Sequence, residues 1–398
     1  MRIIFLSYAF WPPDFGGEHL ITAERGEELV QRGHEFTVLT SGRPGFPARA
    51  TLNGLKVLRS PMIHESRAGR LLRRLIFIPW AMLQMMVLSF DILHLGSLPL
   101  GGKAAYSLVG GLFSLVAHIR RARVVVVCSL AEREDAAVDL GGFSGRLMAI
   151  YLGCMDKIVG VSVALYEALK EHFSAQAAYI HNGIRDDLFV PLAAARRFEV
   201  RRQAGLRGDE TVFIFMGSVD FRKGFDVLAQ AFAHLSRKYS YWRLWVVGPY
   251  TRQHSQNTNP EEVERVRAPL NGNTAVKFWG RLDDRPRLAD LMAAADVFVF
   301  PTRREGMPLS PIEAMSCGLP LIISRLPGST DMINAEGQTG FYVTPGNLEE
   351  LRKAMEKLGT DQTLRQKLGS QARARVVETL GWQQHLDQWE ALYQSCLS

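Results

Sequence analysis

Two carboxylates eight positions apart, Glu305 and Glu313, bracket the stretch of this chain best equipped for chemistry, VFVFPTRREGMPLSPIEAMSCGLPLIISRLPGSTD at residues 297–331. The apolar runs 297–300 and 321–323 read as strands of the kind a parallel sheet buries on both faces. Glu305 follows the first strand end, and Gly306 beside it has no Cβ to keep a ligand from the backbone. Ser310, Pro311 and Glu313 fall at the N-cap, N1 and N3 positions of a helix that Gly318 ends. A helix N-terminus opening off a strand end offers unpaired amides and a favourable dipole to a phosphate. The plainer alternative is that Ser310 and Glu313 form a capping box and Glu305 is a solvated loop carboxylate.

A second chemical cluster lies in the loop Gly217-Ser-Val-Asp-Phe-Arg-Lys-Gly224. Arg222 and Lys223 stand before a helix whose apolar face uses Phe225, Leu228, Phe232 and Leu235. Cations at a helix start oppose its dipole unless an anion also sits there. Gly16-Gly17, likewise ahead of a helix, offers bare amides or a plain flexible turn. The dinucleotide pattern GxGxxG is absent, and Gly102-Lys103 is followed by Ala104, so neither a nicotinamide nor a Walker-type nucleotide site is indicated. The adjacent pairs Asp186-Asp187 and Asp283-Asp284 make no Asp-x-Asp triad, and Cys128, Cys154, Cys317 and Cys396 are too dispersed for zinc. No metal or cofactor is expected, and a leaving diphosphate then needs fixed protein charge.

The run EGMPLSPIEAMSCGLPLI resembles the signature of retaining nucleotide-sugar glycosyltransferases of family 4, which have the GT-B fold. The two glutamates, Gly306, Pro308, Ala314, Gly318 and Pro320 fall in the family's order. The resemblance implies two Rossmann-like α/β domains facing each other across a deep cleft. It implies that Glu305 contacts the donor sugar, that Glu313 holds the ribose hydroxyls, and that Gly306, Met307, Pro308, Leu309 and Ser310 meet the sugar and diphosphate. It places Gly16 and Gly17 against the diphosphate, Lys223 with Arg222 as its clamp, and Arg281 and Leu282 at the base. Three departures stand out: Ser218 where an arginine is usual, Asp331 where glutamate is common, and no histidine after the strand ending in Cys128. Ser129 and Glu132 are candidates to replace that histidine, or are simple loop residues. The implied reaction is metal-independent transfer from a nucleoside diphosphate, such as UDP, to an acceptor hydroxyl in polysaccharide, lipid-linked glycan or glycoconjugate synthesis. Rival readings are a sucrose-phosphate-type synthase or epimerase of the same fold, and a catalytically impaired GT-B protein serving as a membrane or complex partner.

Positioning these residues takes two domains, since 398 residues exceed one ordinary core. The first is expected over residues 1–190, with a C-terminal helix at about 382–398 packing back on it, and the donor domain over 191–381. His94 and His181, on or beside strands of the first, read as structural. The opening MRIIFLSYAFWPP reads as a strand rather than a leader, which with the dispersed cysteines suggests a cytoplasmic protein. The formal charge of +7 favours anionic partners, nucleic acid not among them. Lys56, Arg59, Arg67, Arg70, Arg73 and Arg74 precede the apolar run LIFIPWAMLQMMVLSF at residues 75–90. That run is too short to span a bilayer. It is either a core helix behind a basic solvated loop or a helix at an anionic inner-membrane surface.

Overall fold

Strands alternate with helices along nearly the whole chain, and they sort into two compact units, Met1–Asn182 with His385–Ser398, and Gly183–Gln384. The structure, a computed structural model, describes all residues except 11–16, 63–66, 97–102, 129–140, 252–258, 331–332 and 335–336.

The first unit runs β1 (Arg2–Leu6), α1 (Gly17–Gln31), β2 (Glu35–Thr40), β3 (Arg49–Leu52), β4 (Leu55–Arg59), α2 (Arg67–Val87), β5 (Ile92–Leu95), α3 (Lys103–Ile119), β6 (Arg123–Cys128), α4 (Gly142–Gly153), β7 (Lys157–Gly160), α5 (Val163–Phe173) and β8 (Ala177–Tyr179). Its sheet has the order β3-β4-β2-β1-β5-β6-β7-β8 and is parallel except for the β3–β4 hairpin. Asn53 and Gly54 both take positive φ in that hairpin's turn, the backbone that Asn-Gly supplies most readily. The central strands β1, β5, β6 and β7 are buried on both faces along most of their length, as their near-continuous Val, Ile and Leu content demands. One face packs Leu6, Leu93 and Val124 on Phe77, Phe113 and Leu152, and the other gathers Phe5, Phe36 and Val38.

The basic residues before the apolar run do not lie in a loop: Lys56 and Arg59 are on β4. Arg67 to Arg74 form the first turns of α2, which continues through Pro79 to Val87. This helix is neither wholly core nor wholly surface. It buries Phe77, Ala81 and Met85 and leaves Leu75, Leu83 and Met86 exposed.

The second unit continues α6 (Ala194–Gln203), β9 (Thr211–Met216), α7 (Phe225–Lys238), β10 (Trp242–Val247), α8 (Pro260–Arg267), β11 (Val276–Gly280), α9 (Arg285–Ala294), β12 (Val297–Phe300), α10 (Leu309–Ser316), β13 (Leu321–Ser324), β14 (Gly340–Val343), α11 (Leu348–Thr360) and α12 (Gln362–Arg375). All six strands are parallel, in the order β11-β10-β9-β12-β13-β14. Successive strands therefore wind outward in opposite directions from the β9–β12 pair. That switch point opens a crevice at the carboxyl ends of the two strands, where doubly wound sheets bind ligands.

A π turn at Val376–Leu380 leads into α13 (Trp382–Leu397). Trp389, Tyr393 and Cys396 of α13 complete the core of the first unit beside Ile3, Phe5 and Ile92. His94 is fully buried there, its ring stacked on Trp389 at 5.1 Å and its Nδ1 2.6 Å from the Tyr393 hydroxyl. The Arg25 guanidinium covers the same Trp389 ring at 3.8 Å. Burial, and then the charge of Arg25, hold His94 well below the ordinary histidine range, so it is a neutral structural residue.

Candidate functional site

The loop after β9 and the loop after β12 meet at the switch point. Gly224 makes the approach possible. It sits at φ 68°, and a Cβ there would fall 1.8 Å from the Pro301 carbonyl oxygen. Arg303 ties the loops together, donating to both Asp226 oxygens at 2.7 and 2.9 Å while its guanidinium lies 3.7 Å from the Phe221 ring centroid. The Arg303 amide donates to the Arg222 carbonyl at 2.8 Å, and the Thr302 hydroxyl donates to the same carbonyl at 3.2 Å.

This scaffold brings the expected charges together. Lys223 Nζ donates to Glu305 Oε1 at 2.6 Å and Arg222 Nη1 donates to the same oxygen at 2.9 Å. The Thr302 hydroxyl is a third neighbour of that oxygen at 3.2 Å. Glu305 and Lys223 keep only 10% and 15% of their side-chain surface, so the pair is poorly screened by solvent. Lys223 also lies 4.8 Å from the Phe300 ring centroid. Two cations face one carboxylate, which leaves a net positive charge at the strand ends, suited to an anion.

Gly306 and Met307 are buried, and the Gly306 carbonyl accepts the Ser329 hydroxyl. Ser310 is not the N-cap expected of it, and the alternative capping box with Glu313 does not form. The N-cap of α10 is Pro308, and Leu309 and Ser310 are its first two residues. The Ser310 hydroxyl donates instead to the Met216 carbonyl at 3.2 Å, fastening α10 to the end of β9. Leu309 and Ser310 still present first-turn amides that have no intrahelical acceptor. The far end is as expected. Gly318 at φ 78° closes α10 with paired bonds from Gly318 to Met315 and from Leu319 to Ala314.

Glu313 is 1% exposed and accepts from Arg285 Nη1 at 2.6 Å through Oε1, while its Oε2 has no hydrogen-bond partner among the described residues. An acceptor oxygen buried in that state is costly unless a donor arrives, which a sugar hydroxyl can supply. The Ser218 hydroxyl is spent on Asp220, whose other oxygen accepts the Lys223 amide at 2.8 Å, so this position orders the loop and adds no cation. Arg281, just past β11, pairs with Asp283 at 2.7 Å, and Leu282 beside it is half-buried. Gly17 opens α1 in the first unit; Gly16, Ser129, Glu132 and Asp331 lie outside the described residues.

Sequence reasoning missed Thr302, Phe300 and Arg285. A threonine three residues before a glutamate, a strand phenylalanine and the first arginine of a helix have no local signature. Only the signal that a strand end faces a ligand could have drawn attention to Phe300 and Thr302.

Comparison with known proteins covers both units. Residues 196–375 match the sequence model of the family described as glycosyl transferases group 1, and residues 15–188 match that of glycosyltransferase family 4. A D-inositol 3-phosphate glycosyltransferase of Streptomyces bingchenggensis is 28% identical over 236 residues, 58% of this chain, and the match spans 51% of that relative's own length. Among solved structures, a sucrose-phosphate synthase from Thermosynechococcus elongatus superposes with a TM-score of 0.81 at 22% identity, covering 100% of this chain and 99% of that one. Anabaena HepE in complex with UDP and glucose superposes with a TM-score of 0.76 at 18% identity, covering 99% and 100%. The fold is GT-B.

Proposed function

The chain belongs to the family 4, group 1 glycosyltransferases, and we propose that it transfers a sugar from a nucleoside diphosphate to an acceptor hydroxyl, with retention at the anomeric carbon and without a metal ion. The observation that carries this reading is the convergence of Lys223 and Arg222 on a single oxygen of Glu305 at the switch point.

An arriving diphosphate competes with Glu305 for these two cations, which with the first-turn amides of α10 stabilise the charge that grows on the leaving group. Glu305 then turns to the donor hydroxyls, and Glu313 accepts from the ribose. Arg281 and Leu282 border the base, and UDP in the Anabaena relative supports a uridine donor. The acceptor oxygen bonds to the anomeric carbon on the face from which the phosphate oxygen departs, and that phosphate oxygen takes the acceptor's proton. Glu305 forms no covalent bond to the sugar. The acceptor is a polysaccharide, lipid-linked glycan or other glycoconjugate, handled from the cytoplasmic face of a membrane.

The test is a panel of nucleotide sugars screened by thermal stabilisation, since a bound ligand raises apparent stability by mass action. Transfer by the stabilising donor is then followed by proton NMR with a chelator present. A product of inverted configuration, or loss of turnover on chelation, overturns this mechanism. Nucleotide binding without any transfer favours the impaired-partner reading, toward which Ser218, bonded to Asp220 instead of presenting a cation, already leans.

A further inference from the structure

We propose that the outer surface of α2, α3 and α4 docks this protein on an anionic lipid bilayer. The three helices are neighbours, with α3 packed between the other two. Gly110 lets α3 and α4 close up, because a Cβ there would fall 2.3 Å from the Tyr151 ring.

Each helix has satisfied its core and still shows an apolar stripe outward. On α3, Val109, Phe113, Val116 and Ala117 are buried, yet Leu108, Leu112, Leu115 and Ile119 are 46–66% exposed. Their spacing of four, three and four residues lines them along one face. On α2, Leu72, Leu75, Leu83 and Met86 repeat the pattern, and on α4 Phe143 and Ile150 are 78% and 66% exposed. The exposed large apolar residues of the second unit, such as Phe198, Tyr241 and Val377, are scattered over separate elements. A contiguous apolar surface of this kind marks an interaction site.

Charge selects the partner. On these helices Arg74 and Arg146 are exposed, and none of the three carries an aspartate or glutamate. Arg146 lies between Phe143 and Ile150 on the exposed side of α4, and Arg120 and Arg121 are exposed just beyond α3. A second copy would set like charge against like. Aliphatic side chains around arginines instead match the acyl boundary and head groups of an anionic lipid leaflet. Among the described residues no helix is long and apolar enough to cross a membrane, so the contact is one of lying on the surface. The proposal deepens the membrane-face part of the proposed function and rests on glycosyl transfer only in making the acceptor lipid-linked.

The test is co-sedimentation of the full chain with vesicles of phosphatidylcholine, alone or mixed with phosphatidylglycerol, without nucleotide. Binding is expected only with phosphatidylglycerol. The double variant Leu112→Asp, Leu115→Asp should reduce it at least ~10-fold, and Arg146→Glu about fivefold. These positions are exposed, so unchanged melting curves confirm folding. Absence of wild-type binding, wild-type-like binding by both variants, or a dimer in light scattering that the double variant dissociates would each overturn the proposal. Vesicle binding without sugar transfer would defeat the transferase reading and leave the surface standing; transfer without vesicle binding would do the reverse.

Discussion

Strand β12 carries an acid at each end, and the two acids have nearly the same company. Asp296, at its start, accepts from Arg197 at 2.7 Å and Arg201 at 3.1 Å. Glu305, past its end, accepts from Lys223 and Arg222. The difference lies in the spare oxygens. Both Asp296 oxygens are engaged, Oδ2 also holding the Val212 amide at 2.8 Å, and Arg201 is bonded to the Ala294 and Glu210 carbonyls. On Glu305 all the hydrogen bonds from the described residues fall on Oε1. An acid with two cations is therefore no mark of a site by itself. A spare acceptor at the carboxyl end of a switch-point strand is what distinguishes the functional candidate from the structural one.

The sharpest way to break this contrast is to remove each acid. Lys223→Ala and Glu305→Ala should each lower turnover ~10²–10³-fold, the usual loss when one charge-stabilising group is deleted. Both should keep the wild-type melting temperature to within a few degrees and bind phosphatidylglycerol vesicles normally. Near-normal rates in both would end the assignment. Asp296→Ala should do the converse, destabilising the fold by about 3 kcal/mol because Arg201 is left buried without its carboxylate. Denaturant unfolding measures this, and a fully stable variant would show that the two ends of β12 are not different in kind.

A smaller effect extends the comparison to the first unit, where the buried groups that titrate on the acid side of neutrality are histidines. Burial and then Arg25 hold His94 and His385 well below the ordinary histidine value of about 6.5. Above that value both folded and unfolded chains carry them neutral, and nothing is gained or lost. As pH falls below it the unfolded chain takes up protons that the folded chain refuses, so stability drops. Melting temperature should therefore decline between pH 6.5 and the lower folded-state values of these groups, and His94→Phe should flatten the decline. An equal slope in the variant would remove His94 from the account.

Much of the fold was legible because alternating apolar runs and helical periods are local. The two series of strands and helices, and the helix end at Gly318, all follow from signals within a few residues. The β3–β4 hairpin also has a local signal, Asn53-Gly54 between two short strands. The capping box failed for a non-local reason. Its residues were present, but the Met216 carbonyl claimed Ser310 and Arg285 claimed Glu313, and both partners come from other elements. Arg67 to Arg74 likewise join a helix, because the apolar face that begins at Phe77 propagates the helix back through them.

The sequence by itself determined which residues could hold a diphosphate and a sugar: a glutamate and glycine after a strand, a lysine and glycine before a helix, and a helix start between two strands. Tertiary structure alone decided that Lys223 meets Glu305 across 82 positions, that Thr302 and Phe300 steady that meeting, and that Arg285 holds Glu313. Helical and strand periods act between residues one to four apart, whereas a contact across a switch point depends on which strands of the sheet come to lie side by side.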